Sequence, residues 1–196
     1  MPDPKYMDSQ EDINSKMRAI LIDWMVDVHA KYRMSPQTLH MTIDLIDRFL
    51  SKDFTIPRQK LQLVGITAIF IASKYEEIYP PEVYEFVRIT DHAYTPEEVF
   101  EMEEVILRAL EYYVTAPTAY QFLERFLKAS GSTLETTRCF ALYVIDRTLQ
   151  EYRLIKYPPS VIAAAAIHIA RTQMNERPAW VRNLFFRLLR SNLRVQ

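Results

Sequence analysis

The sequence predicts an all-α protein made of two tandem five-helix repeats, the second shortened or altered towards its end. Three observations predict it. Apolar residues recur at helical spacing from residue 15 to residue 111, and no stretch alternates in the manner of a strand. Prolines and small polar residues stand where helices should begin. Two segments also return at nearly one offset. AIFIA at 68–72 is echoed by AIHIA at 166–170, 98 positions on, and IDR at 46–48 by IDR at 145–147, 99 positions on.

The helices are marked one by one along the chain. Asn14 and Ser15 suit the cap of a first helix, whose stripe is Met17, Ile20, Leu21, Trp24, Met25, Val28 and Tyr32. Ser35-Pro36 restarts the chain, and Leu39, Ile43, Ile46, Phe49 and Leu50 form the second stripe. Pro57 opens a third helix that is apolar on nearly every side from Leu61 to Ala72, which places it in the middle of a domain. Gly65, Ala68 and Ala72 leave room for close neighbours. Tyr79-Pro80-Pro81 ends that helix and leads into a short fourth one through Val83, Phe86 and Val87. Thr95, Pro96 and Glu98 form a capping box for the fifth, which runs through Val99, Met102, Ile106, Leu107 and Leu110. The second half repeats the scheme, with an apolar helix over 163–170 that again comes after a double proline, Pro158-Pro159. The reading is an N-terminal segment at 1–14, a first domain at 15–113 and a second at 114–196.

Composition narrows the function. A chain of 196 residues, 49% hydrophobic and 25% charged, has enough apolar material for a core without staples. Its two glycines, Gly65 and Gly131, cannot make a Gly-rich phosphate cradle. One cysteine, Cys139, excludes an internal disulfide framework and a Cys-based zinc ribbon. The net charge of −1 shows no general attraction to nucleic acid or anionic membranes. No apolar run reaches the roughly 18–20 residues of a membrane span, and the polar start resembles no signal peptide. A soluble intracellular protein is the expectation. His29, His40, His92 and His168 show no metal-binding spacing, and His168 reads as a core histidine. Cys139 reads as a small buried hydrophobe, Ser73 and Ser160 lack a nucleophile elbow, and Arg182, Arg187, Arg190 and Arg194 read as the wet side of a terminal helix. No catalytic residue, cofactor or metal ligand is assigned.

Longer motifs add a resemblance. MRAILIDWMVDV at 17–28, KLQLVG at 60–65 and IASKYEEIYPPEV at 71–83 resemble a cyclin box, and IDRFL at 46–50 and Met102-Glu103 extend the match. The likeness runs over about residues 6–178 and is closest to the mitotic cyclins, with A and B types equally open. It implies a regulatory subunit, not itself an enzyme, that binds and activates a cyclin-dependent protein kinase in G2/M control, in nucleus and cytoplasm. It also implies two sites. Lys74 and Glu103 would lie side by side at the kinase face, Glu76 and Glu77 would meet basic kinase residues, and Ile71, Tyr75, Leu107, Tyr112 and Val114 would form the apolar pocket for the kinase αC helix. By spacing alone these residues read rather as a solvated helix end above ordinary core, and the resemblance reverses that reading. Met17, Ile20, Leu21 and Trp24, with Asp27, Arg58, Gln62 and Ile89, match the family's docking patch for Arg-x-Leu substrates or inhibitors. By spacing alone the apolar four fit equally the plain core side of an amphipathic helix.

The chain also departs from that pattern. Asp27 stands where the family usually has Glu. Of the helix that precedes the box only Lys5-Tyr6-Met7 matches, and no upstream destruction signal lies within these residues, so either they belong to a longer chain or turnover differs. After Trp180 the sequence no longer resembles the usual end of the second repeat, although Phe185, Phe186, Leu188 and Leu189 could cover its core. Two alternatives stand beside the main reading: a subunit with the same fold in a transcription-related kinase complex, and an unrelated helical enzyme.

Overall fold

The computed structural model describes residues 1–130 and 134–176. Gly131 and the expected terminal helix with Trp180, Phe185, Phe186, Leu188, Leu189, Arg182, Arg187, Arg190 and Arg194 lie outside the described residues. Among the described residues there are eight α-helices and no strand. They are α1 Ser15–Lys31, α2 Pro36–Leu50, α3 Leu61–Glu76, α4 Val83–Ile89, α5 Pro96–Ala109, α6 Ala119–Ser130, α7 Glu135–Leu149 and α8 Pro159–Gln173. The chain divides into two compact units: Met1–Ala116 with Gln150–Lys156, and Pro117–Leu149 with Tyr157–Gln196.

The starts of α1, α2 and α5 are the ones the sequence marks, whereas α3 begins at Leu61, after a 3-10 turn over Arg58–Lys60, rather than at Pro57. The Asn14 side chain accepts from the Lys16 and Met17 N–H groups, Ser35 accepts from Gln37, and Thr95 and Glu98 complete a reciprocal capping box. The ends carry a signature the sequence conceals. With two glycines in the chain, the left-handed residue that closes a helix falls to other types. Arg33, Asp91, Glu111 and Asn175 each sit two positions beyond a helix with φ between 50° and 55°. Each belongs to a Schellman pair, as in Arg33 N–H to Ala30 C=O with Met34 N–H to His29 C=O.

In the first unit α3 is the central helix. Twelve of its residues are buried, from Leu61 through Ser73, against α1, α2, α4 and α5. Gly65 sits under α1: a Cβ there would stand 2.8 Å from Leu21 Cδ1 and 3.4 Å from Met25 Sδ. In the second unit Leu123, Phe126 and Leu127 of α6 pack with Ala141 and Ile145 of α7 and with Ala163, Ala166, Ile167 and Ala170 of α8.

The internal likeness of α3 and α8 does not extend to their surroundings. α8 has two described helical neighbours, α6 and α7, and buries one side only. His168 is therefore exposed, contrary to the core position its sequence suggests, and so is Ile169. Cys139 is also exposed rather than buried. The buried stripe of α7 runs Thr137, Ala141, Ile145, and residue 139 lies about 200° round the helix from 137.

Candidate functional site

A buried ionic network organises the first unit beneath its surfaces. Arg18 on α1 is 1% exposed and donates to both carboxylate oxygens of Asp47 on α2, each at 2.6 Å. Tyr6 donates its hydroxyl to the same carboxylate at 2.8 Å. Burial and the Asp47 charge hold the Tyr6 hydroxyl well above its ordinary pKa. Burial pulls against the Arg18 charge, yet the Asp47 carboxylate keeps that guanidinium firmly protonated. The Tyr152 ring meets Tyr6 edge-on at 5.3 Å and its hydroxyl bridges Pro4 C=O and Met7 N–H. None of these roles is read from the sequence. The signal there is an Arg and an Asp at core positions of two apolar stripes.

The first candidate face gathers at the C-terminal end of α3 and on α5. Lys74 Nζ lies 2.5 Å from Glu103 Oε1 and 4.0 Å from the centroid of the Phe70 ring. Glu103 is the more covered partner, so it fixes where the ammonium sits while Lys74 keeps donors free towards solvent. Tyr75 is 53% exposed and Tyr112 65%, while Leu107 and Val114 are half-buried. Ile71, at 4%, is floor rather than surface. These residues give an apolar patch edged by one ion pair.

Glu76 and Glu77 are turned inward as well as outward. Glu77 Oε1 accepts the Ser35 N–H at 2.7 Å and the Thr38 hydroxyl, and Gln37 Nε2 is 3.5 Å from Glu76 Oε1. The carboxylates therefore sit at the N-terminus of α2, where the helix dipole favours negative charge. Arg48, unassigned from sequence, reaches the Tyr113 and Val114 carbonyls beside this face.

The second candidate is a groove of about 280 Å³ between α1 and the start of α3. Met17, Ile20, Leu21, Trp24, Arg58 and Gln62 line it, with Leu61 as a further wall. Ile20, one of the lining residues, is 61% exposed. Asp27 and Ile89, grouped with these residues from sequence, are not among the lining residues. Asp27 is exposed about one turn beyond Trp24, and Ile89 ends α4, which packs on α3 and α5. Asp12 pairs with Arg58 at 2.5 Å and accepts its backbone N–H at 2.8 Å. Those hydrogen bonds hold the Asp12 carboxyl below the usual carboxylate range.

Residues 1–115 match the family description "Cyclin, N-terminal domain", and residues 117–188 match "Cyclin, C-terminal domain". The G2/mitotic-specific cyclin S13-7 of Glycine max is 48% identical over 175 residues, 89% of this chain and 67% of that protein. Cyclin-B1-3 of Arabidopsis thaliana is 46% identical over 92% of this chain and 43% of its own length. G2/mitotic-specific cyclin-1 of Antirrhinum majus is 49% identical over 89% and 37%. The chain thus spans less than half the length of the last two. A viral cyclin from herpesvirus saimiri superposes with a TM-score of 0.78 at 22% identity, covering 86% of this chain and 76% of that one, a likeness of fold.

Proposed function

The chain belongs to the cyclin family, and from that premise we propose that it is a regulatory subunit that binds and activates a cyclin-dependent protein kinase in G2/M control. The observation that carries the reading is the Lys74–Glu103 pair set beside exposed Tyr75 and Tyr112 and half-buried Leu107 and Val114. That is the anatomy of an interface: an apolar centre with a charged group that fixes register.

Catalysis belongs to the partner. A protein kinase is competent when its αC glutamate pairs with its β3 lysine, and a surface that binds only that arrangement shifts the population by its differential affinity. Reversing a 1:99 equilibrium to 99:1 takes about 10⁴-fold preference, roughly 5.5 kcal/mol. A preformed face is suited to this, because little of its binding free energy is lost to ordering. The groove lined by Met17, Ile20, Leu21 and Trp24 would take the leucine of an Arg-x-Leu segment. Asp27 would meet the arginine from outside the groove. The relatives named as G2/mitotic-specific or B-type favour the mitotic reading. Nucleus and cytoplasm would be its places of action, open to imaging of a tagged chain.

The test is a mixture. The chain, a cyclin-dependent kinase and both together are incubated with ATP and histone. Activity in the mixture alone supports the reading, provided that Lys74→Ala with Glu103→Ala abolishes it without loss of helical circular dichroism. Activity from the chain alone, or a double variant that activates fully, overturns it.

A further inference from the structure

The chain just beyond α5 is built against local preference. Glu111 and Tyr112 are consecutive non-glycine residues with φ of 54° and 59°. One such residue is uncommon, and a second follows it here, as at Asp91 and His92 after α4. The first is accounted for by the helix-closing pair, Glu111 N–H to Arg108 C=O and Tyr112 N–H to Leu107 C=O. The second turns the chain so that Tyr112 is exposed and Val114 half-buried, on the face proposed to meet the kinase.

Two side chains from neighbouring helices grip residues 113–115. Arg48 of α2 donates Nη2 to the Tyr113 carbonyl and Nη1 to the Val114 carbonyl at 3.4 Å. Its guanidinium also lies 5.9 Å from the Tyr113 ring centroid. The same Nη1 is 3.2 Å from Asp44 Oδ2, one turn back on α2, which fixes the orientation of the fork. At the other end the Tyr75 hydroxyl pairs with Thr115 Oγ1 at 2.5 Å. A planar guanidinium can serve two successive carbonyls and a carboxylate together, whereas a lysine ammonium is a compact charge on a flexible stem.

We infer that Arg48 is a positioning residue for partner binding: it holds residues 111–115 in the shape that presents Tyr112 and Val114, and it acts through them rather than by touching the kinase. The inference rests on the proposed function and deepens it. It identifies α2, which supplies none of the sequence-assigned kinase contacts, as a support of that face. The repeat of IDR at 145–147 offers no reason to expect this, because the motif is equally a core signature.

The experiment uses the full chain and a cyclin-dependent kinase that the unaltered chain activates. Arg48→Lys should raise the dissociation constant about tenfold and speed amide exchange at Tyr112 and Val114 by a similar factor, with α3 protection unchanged. Tyr112→Ala should then cost several-fold less affinity in the Arg48→Lys background than in the unaltered chain, a non-additivity that general loosening would not produce. Asp44→Ala, which removes the carboxylate that orients the fork, should act in the same direction and serves if the lysine variant fails to fold. Unchanged affinity, unchanged exchange or full additivity overturns the inference. An unaltered chain that activates no kinase overturns the proposed function and this inference with it, and the control lane without any substitution identifies that outcome.

Discussion

Asp47→Ala is expected to be far more damaging than the loss of one surface charge. The carboxylate takes two donors from Arg18 and one from Tyr6, in a place where the side chains of both ions are about 2% and 6% exposed. Removing it strands a guanidinium that cannot shed its proton. Breaking a buried pair from one side costs about 3–5 kcal/mol, most of it the desolvation of the abandoned partner. The Tyr6 hydroxyl also loses its acceptor, a further penalty of about 1–3 kcal/mol that overlaps with the first. At roughly 4 °C per kcal/mol for a unit of this size, melting should fall by about 10–20 °C in scanning calorimetry. The control is a double replacement, Arg18→Met with Asp47→Leu, which removes both charges and leaves apolar volume. It should recover most of the loss, because a pair replaced by hydrophobes is often neutral. An Asp47→Ala chain that melts within about 2 °C of the unaltered one would refute the reasoning. So would a double variant no better than the single.

Other residues carry expectations of their own. Arg33→Gly should stabilise the first unit by about 0.5–1 kcal/mol in urea unfolding, since the left-handed conformation costs a side chain about 1–2 kcal/mol and glycine's extra unfolded entropy takes back part of that. Burial raises the Asp44 carboxyl above its ordinary value, outweighing the nearby Arg48 charge. The folded state therefore binds that proton more tightly, and the stability linked to it is present at low pH and lost as pH rises through the raised value. Asp44→Asn should accordingly gain stability relative to the unaltered chain between pH 4 and pH 7, and a constant difference across that range would contradict it. Trp24→Ala should weaken binding of a fluorescent Arg-x-Leu peptide at least tenfold, measured by anisotropy, while Lys74→Ala leaves it unchanged. Peptide binding that survives Trp24→Ala would remove the groove from the proposed function.

The framework was legible because caps and apolar stripes are local. Asn14, Ser35 and Thr95 announce α1, α2 and α5 within four residues of each start, and α3 announces its central place by being apolar all round. What escaped periodicity was whatever depends on a distant partner, and the one such pair expected, Lys74 with Glu103, came from the resemblance and not from spacing. Arg18 and Asp47 are 29 positions apart, Glu77 and Ser35 42, Arg48 and Val114 66. Periodicity places a residue on a face of its own helix and is silent on what the facing helix offers. His168 and Cys139 were misplaced for the same reason: whether an apolar-looking position is covered depends on how many neighbours its helix finds. The lining of the groove was partly legible, since Met17, Ile20, Leu21 and Trp24 share a helical face, whereas Asp27 and Ile89 lie outside it.

One element joins the two candidate surfaces. Leu61 and Gln62, at the first turn of α3, line the groove, and Ile71, Lys74 and Tyr75, at its last turns, belong to the ion-pair face. Lys74 stands twelve helical steps beyond Gln62, about 18 Å at a rise of 1.5 Å per residue. That helix is buried along almost its whole length, so the spacing cannot stretch without opening the core of the first unit. In the proposed function this rigidity has a direct use. A substrate segment held in the groove is fixed at a set distance from the kinase held on the ion-pair face, and its phosphorylation becomes effectively intramolecular. For short flexible links the effective concentration is in the millimolar range, well above that of a free protein substrate. On that proposal, the burial that makes α3 the central helix would also be what lets a chain assigned no catalytic residue influence both the activity and the choice of substrate of an enzyme bound to it.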